Sequence, residues 1–170
     1  MKNERLAILS CCAPCSVAAI SKLKNDGCDF VVLFYNPNIS PRAEFDKRLA
    51  EQIKLCNKLN VKYVVGEYDH GHWLDCVKGL ENEPEGGRRC SECFKMRICW
   101  GAKWARENGF DKVATVFGAS PYKSQTQVNS AGKIFDNYSD MIFDYAPEPG
   151  MYRQNYCGCE FSKKERHDGK

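Results

Sequence analysis

Residues 6–16, Leu6-Ala-Ile-Leu-Ser-Cys-Cys-Ala-Pro-Cys-Ser16, decide the fold. The apolar run Leu6–Leu9 predicts a short buried strand that ends at Ser10-Cys11-Cys12. Pro14 suits the first turn of a helix, where a missing N–H removes no hydrogen bond. Apolar residues then follow at helical spacing, and Gly27 predicts the helix end. A strand that turns directly into a helix is typical of an α/β domain.

The same alternation continues along the chain. Phe30–Tyr35, Val61–Val65 and Lys112–Phe117 read as further buried strands, and Met141–Tyr145 as a candidate fifth. Helical patterns separate them. We therefore expect an α/β fold with a single doubly wound, mostly parallel sheet (Rossmann-like) flanked by helices, followed by a C-terminal cysteine-bearing tail. Residues 1–170 are expected to form one α/β metal-cluster domain.

Composition sets limits on function. The net charge of +3 is too small to establish a nucleic-acid partner by itself. The longest apolar run, Phe30–Tyr35, is far too short to span a membrane. The first residues lack the apolar segment of a secretion signal, so we expect a cytoplasmic protein. In a reducing compartment, clustered cysteines indicate metal binding or catalysis rather than structural disulfides.

The cysteines carry most of the functional signal. Seven of the eleven cysteines fall in three groups, namely Cys11-Cys12 with Cys15, Cys90-x-x-Cys93 and Cys157-Gly-Cys159. Two of the groups begin helices, where backbone N–H groups and the helix dipole favour thiolates. Four such thiolates could hold either an iron–sulfur cluster or zinc. Zinc would match Cys12-x-x-Cys15 with Cys90-x-x-Cys93, but a zinc ribbon keeps its two halves closer in sequence.

The third group, Cys157-Gly-Cys159, has a different character. A pair separated by one residue can close a strained disulfide, and strained disulfides are the labile, catalytic kind. The alternatives are two further metal ligands or two spare thiols. The sequence leaves this choice open.

Taken together, the motifs resemble the cobalamin-independent epoxyqueuosine reductases, the QueH family. The resemblance runs from about Leu6 to Ser162 and rests on motifs that appear in order. They are Ser10-Cys-Cys-Ala-Pro-Cys-Ser16, Tyr35-Asn-Pro-Asn-Ile39, Tyr68-Asp69, Gly79-Leu-Glu-Asn-Glu-Pro-Glu-Gly-Gly87 with Arg89-Cys-Ser-Glu-Cys-Phe94, Ser120-Pro121, and Tyr152-Arg-Gln-Asn-Tyr-Cys-Gly-Cys159.

The resemblance implies a function and a set of site residues. The family removes the epoxide oxygen of epoxyqueuosine at the wobble position of tRNA, a two-electron reduction that gives queuosine. It implies a 4Fe-4S cluster held by Cys11, Cys12, Cys90 and Cys93, and a redox-active pair at Cys157 and Cys159. It also suggests a second metal, a mononuclear iron beside the cluster, with Asp69 and leftover thiolates as candidate ligands. An external electron donor would be required.

Substrate recognition would involve a single-stranded RNA loop, which proteins read by stacking bases on aromatic or arginine side chains. Tyr35, Asn36, Lys123 and Arg153 are the substrate candidates. Residues 144–150 are short and slightly acidic where the family carries a longer basic stretch.

Two rival functions stay open at this stage. One is a Cys₄-zinc, tRNA-binding α/β module without redox activity. The other is a thiol–disulfide oxidoreductase that uses Cys157 and Cys159 without a metal. A nucleotide-using enzyme is disfavoured, because Ser10–Ser16 stands where a glycine-rich phosphate loop would be expected.

Overall fold

The computed structural model describes residues 3–168 and contains a four-stranded parallel sheet. Its strands are β1 (Arg5–Leu9), β2 (Asp29–Phe34), β3 (Tyr63–Val65) and β4 (Lys112–Thr115), in the order β3-β2-β1-β4. The last four residues of β1 and of β2 are all buried. Central parallel strands are covered on both faces, which explains their unbroken apolar runs. The predicted α/β class and parallel sheet are confirmed.

Helices cover both faces of the sheet. They are α1 (Ala13–Asn25), α2 (Arg42–Lys58), α3 (His70–Cys76), α4 (Arg88–Glu107), α5 (Gln125–Gly132) and α6 (Glu160–Asp168). Along β2, Val32 packs with α1 and α2, while its neighbours Val31 and Leu33 join the core under α4. This alternation is the period of a strand with two buried faces. The doubly wound arrangement is therefore confirmed.

Helix α4 lies directly on the central strand. A Cβ atom added at Gly101 would come within 2.7 Å of the Leu9 side chain, so only a glycine allows this approach. The approach matters for the site because α4 begins with Cys90 and Cys93, and β1 ends at Cys11.

Several predicted boundaries differ in the structure. Within residues 3–168 the predicted fifth strand at 141–145 does not form. In the same part of the chain, the outer edge of β4 pairs only through an isolated bridge between Val113 and Tyr138. Ile142 is 71% exposed, so this segment does not bury side chains on both of its faces as the central strands do. Helix α5 stops at Gly132, because the chain folds back and packs the Tyr138 ring against that glycine.

The C-terminal tail ends in helix α6, which the sequence did not predict. The helix is tied to the body by Glu160 with His70 (2.8 Å), by Arg166 with Glu85 (2.7 Å), and by Phe161, whose ring packs on Trp73. This docking carries Cys157 and Cys159 to the start of α4. Among the described residues, none of the helices combines the length and apolarity needed to cross a membrane.

Candidate metal and redox site

The carboxyl ends of β1 and β4 lie at the point where the order of the strands reverses. From β1 the chain moves to β2 on one side, and it returns to β4 on the other side only after α4. Such a reversal opens a crevice at the carboxyl ends of the strands, where α/β proteins bind their ligands. Cys11 and Cys12 follow β1 at this point.

Three thiols meet at the start of α1. The Sγ atoms of Cys11, Cys12 and Cys15 lie within 4.8 Å of one another, and all three residues are buried. Cys12 has extended backbone angles at the N-cap of α1, so the chain turns there and its neighbour Cys11 can face the same site. The Sγ atoms of Cys11 and Cys12 are 3.8 Å apart. This cysteine cluster could hold a metal ion.

The three thiols interact strongly. Hydrogen bonds from Cys12 and Cys15 hold the pKa of Cys11 well below its ordinary value. The same contact with Cys11 raises the pKa of Cys12 to about 12. It also raises the pKa of Cys15. One thiolate shared by three close sulfurs is a soft donor set of the kind that binds zinc or iron.

Four further cysteines line one cavity at the start of α4. They are Cys90, Cys93, Cys157 and Cys159. The N–H of Gly86 donates to the Cys90 sulfur at 3.3 Å. Burial nevertheless raises the pKa of Cys90 to about 11. A metal that binds this sulfur must displace its proton.

Cys157 and Cys159 form a close pair of free thiols. A hydrogen bond from Cys159 holds the pKa of Cys157 well below its ordinary value, against the effect of burial and with help from the charge of Lys123. The pKa of Cys159 is raised by the same contact. The pair therefore combines one thiolate with one thiol, which is the arrangement that thiol–disulfide exchange uses.

Cationic side chains surround these sulfurs. Lys123 is half-buried on the cavity wall. Burial disfavours its charge, but the negative charges of the Cys11 and Cys157 thiolates outweigh this and raise the pKa of Lys123. Lys123 thus interacts electrostatically with the α1 thiols and with the tail pair, Cys157 and Cys159.

Buried N–H donors on the cavity wall indicate what the site can hold. In the described part of the chain, Trp73 Nε1 and Arg89 Nε and Nη2 have no hydrogen-bond partner. Buried donors of this kind normally meet an acceptor. Together with four thiols and Lys123, they fit an anionic, sulfur-rich group such as a thiolate-bound metal centre.

The remaining predicted site residues lie elsewhere. The cavity walls within residues 3–168 do not include Asp69, which is exposed and caps α3 by accepting the His72 N–H at 2.9 Å. Tyr35 is buried and stacks on Trp100 at 4.4 Å. Asn36 is buried and donates to the Ser10 carbonyl at 2.9 Å. Arg153 is exposed.

Arg48 is a site residue that sequence reasoning missed. Although only 1% exposed, it pairs with Glu44 at 2.8 Å and donates to the carbonyl oxygens of Tyr156 and Cys157. No sequence signal singled it out, because the helical spacing of the apolar residues Leu49 and Ile53 predicts a different buried face of α2.

Comparison with known proteins gives a consistent result. The family model described as "Epoxyqueuosine reductase QueH" matches residues 6–165. A protein of that name from Histophilus somni is 36% identical over 96% of this chain and 74% of its own length. One from Acinetobacter baylyi is 36% identical over 95% and 82%, and one from Thermotoga maritima is 33% identical over 93% and 90%.

Among solved structures, the U34-tRNA thiolase NcsA from Methanococcus maripaludis, determined with its [4Fe-4S] cluster, superposes with a TM-score of 0.50. The two chains are 17% identical, and the match covers 69% of this chain and 39% of the thiolase. At this identity the likeness concerns the fold alone, and it agrees with the observed α/β architecture.

Proposed function

The chain belongs to the epoxyqueuosine reductase QueH family, and on that premise we propose that it removes the epoxide oxygen of epoxyqueuosine in tRNA. One observation supports this beyond the family match. Two separate thiol pairs, Cys90 with Cys93 and Cys157 with Cys159, line the same cavity, and the charge of Lys123 on the cavity wall also influences Cys11. A protein that only folded around zinc would need one Cys₄ set.

The proposed cofactor is a 4Fe-4S cluster held by Cys11, Cys12, Cys90 and Cys93. Cysteine thiolates are the usual ligands of such clusters. The two helix starts bring thiols and N–H donors, and the surrounding cations offset the negative charge of four thiolates. Bound there, the cluster would supply one-electron transfer.

A second metal ion beside the cluster is part of the proposal, with mononuclear iron as the metal. Cys15 is the better-supported ligand, because its sulfur lies within 4.8 Å of those of Cys11 and Cys12. Asp69 stays a candidate, but its carboxylate already caps α3.

The proposed chemistry uses the tail pair as follows. Removing the epoxide oxygen takes two electrons and two protons, releases water and leaves a carbon–carbon double bond. Oxidation of Cys157 and Cys159 to a disulfide releases two electrons and two protons, so the reaction balances. An external donor must then reduce the disulfide again. Lys123 would face the negative charge that develops on the departing oxygen.

The substrate side of the proposal is tRNA. Enzymes that act on one nucleotide of a loop take its base into a pocket. The proposed entrance lies beside Tyr122 and Lys123, which line the cavity and precede α5. Exposed Arg153 is near enough in sequence to the tail pair to meet the RNA backbone.

Turnover of the purified protein tests the function. Anaerobic protein is incubated with a chemical reductant and tRNA carrying epoxyqueuosine. The tRNA is then digested to nucleosides, and their masses are measured by mass spectrometry. We expect the nucleoside to lose one oxygen atom. Cys28→Ser is the matched control, because Cys28 is an exposed lone cysteine and the variant should keep full activity. Unchanged epoxyqueuosine with a cluster-loaded protein would contradict the proposed function.

A further inference from the structure

A buried cation, Arg97, lies next to the proposed cluster ligands. It follows Cys93 by one helical turn on α4 and is 1% exposed. Its guanidinium lies 3.9 Å over the ring of Phe117. Burying a charge in such apolar surroundings is costly unless a partner of opposite charge is present.

The partners of Arg97 in the protein are neutral. It donates to the side-chain oxygen of Asn36 and, at 3.5 Å, to the carbonyl oxygen of Tyr35. Within residues 3–168 no carboxylate oxygen lies within 4.0 Å of its guanidinium nitrogens. The buried Arg48, by contrast, pairs with Glu44 at 2.8 Å.

The remaining contact of Arg97 is with sulfur. Its Nη1 lies 3.9 Å from the Cys93 sulfur. Through this contact the buried charge of Arg97 reaches one of the proposed cluster ligands at the start of α4.

We propose that Arg97 is the residue that sets the reduction potential of the cluster, and that it raises this potential. The inference rests on the proposed function, because it needs the cluster to be bound by Cys11, Cys12, Cys90 and Cys93. One-electron reduction adds one negative charge to the cluster and changes no covalent bond. A buried cation beside one of its ligand sulfurs stabilises the reduced form more than the oxidised form. Net charge and hydrogen bonds to sulfur are the means by which proteins tune such potentials.

Two substitutions remove the charge effect in different ways. Arg97→Gln removes the charge and keeps a donor. Asn36→Asp keeps Arg97 and places a carboxylate against its guanidinium, which offsets the charge with almost no change in shape but removes the hydrogen bond that Asn36 donates to the Ser10 carbonyl. Arg97→Lys keeps the charge and loses the planar fork. Arg106→Gln is the control, because Arg106 lies on the same helix but its side chain is 55% exposed.

The measurement is a potentiometric titration of each cluster-loaded protein, followed by its electron paramagnetic resonance signal. We expect Arg97→Gln and Asn36→Asp to make reduction at least tenfold less favourable, which is 59 mV for one electron. Arg97→Lys should shift the potential less, and Arg106→Gln should leave it unchanged.

The outcomes separate the inference from the function. A loaded Arg97→Gln or Asn36→Asp protein with the wild-type potential would overturn the role of Arg97 while leaving the reductase intact. If Arg97→Gln fails to load, Asn36→Asp decides alone. A wild-type protein that binds no iron–sulfur cluster would overturn both.

Discussion

The guanidinium of Arg48 donates a 2.8 Å hydrogen bond to the backbone carbonyl of Cys157, and this contact fixes the turn that carries the proposed redox pair. The same side chain reaches the Tyr156 carbonyl at 3.2 Å and is itself held by Glu44. From the other side, the N–H of Ser40 donates to the Gly158 carbonyl at 2.9 Å. Cys157 and Cys159 are thus held by α2 and the loop before it.

Replacing Arg48 should loosen this turn. Arg48→Met removes the cation that pairs with Glu44 and leaves the Tyr156 and Cys157 carbonyl oxygens without this donor, so we expect a loss of about 3 kcal/mol in the free energy of unfolding. Urea denaturation measures it. Lys103→Met is the control, because its pair with Glu107 is exposed and should contribute less than about 0.5 kcal/mol. Equal stabilities for the two variants would show that Arg48 does not anchor the turn.

Gly158 is required by geometry. Its φ is +142°, and an added Cβ would come 3.1 Å from Ile39 and 3.2 Å from Arg48. We expect Gly158→Ala to reduce turnover at least tenfold with the circular dichroism spectrum unchanged. Gly150→Ala is the control, since its φ is +83° but its Cβ would meet nothing within 4 Å, so it should only lose about 1 kcal/mol of stability. Normal turnover by Gly158→Ala would mean that the exact positions of Cys157 and Cys159 are not needed for the reaction.

The tail cysteines should be needed for turnover but not for the cofactor. Cys157→Ser and Cys159→Ser remove one half of the dithiol and leave the four proposed ligands untouched. We therefore expect turnover to vanish while the cluster's visible absorbance stays. If either variant loses the absorbance, that residue is a cluster ligand and the redox-pair assignment is wrong.

The reactivity of Cys157 should depend on pH in a specific way. Because Cys159 and Lys123 lower its pKa, the Cys157 thiolate persists at pH values where an ordinary thiol, with a pKa of about 8.5, is protonated. Only the thiolate is alkylated. Iodoacetamide should thus modify Cys157 almost as fast at pH 7 as at pH 9, as followed by peptide mass spectrometry. In the Cys159→Ser variant, the alkylation of Cys157 at pH 7 should be much slower than at pH 9. The same pH dependence in the wild-type protein would contradict the lowered pKa of Cys157.

Much of the fold followed from apolar runs. β1 and β2 are central strands buried on both faces, so Leu6–Leu9 and Phe30–Phe34 gave strong signals. The candidate strand at 141–145 was wrong because an apolar run alone does not show whether a neighbouring strand is available to pair. Helix α6 was missed because its residues are mostly charged, and it is held by pairs such as Arg166 with Glu85 that sequence does not reveal.

The site was predictable to a different degree. Closely spaced cysteines after β1, at the start of α4 and in the tail indicated a metal or redox site, and the family assignment is confirmed. The roles of Arg48 and Arg97 depend on their burial, and the burial of a charged residue on a helix cannot be read from the sequence. The assignment of individual residues as ligands or as the redox pair stays a prediction.

Iron, acid-labile sulfide and zinc per chain, measured on anaerobically purified protein together with its visible spectrum, test most directly whether the cysteines form a redox centre. We expect about four irons and four sulfides with a broad absorbance shoulder, because that is the content of a 4Fe-4S cluster. A further iron would support the second metal site near Cys15. One zinc, no sulfide and a colourless protein would contradict the redox centre and favour a zinc-binding module.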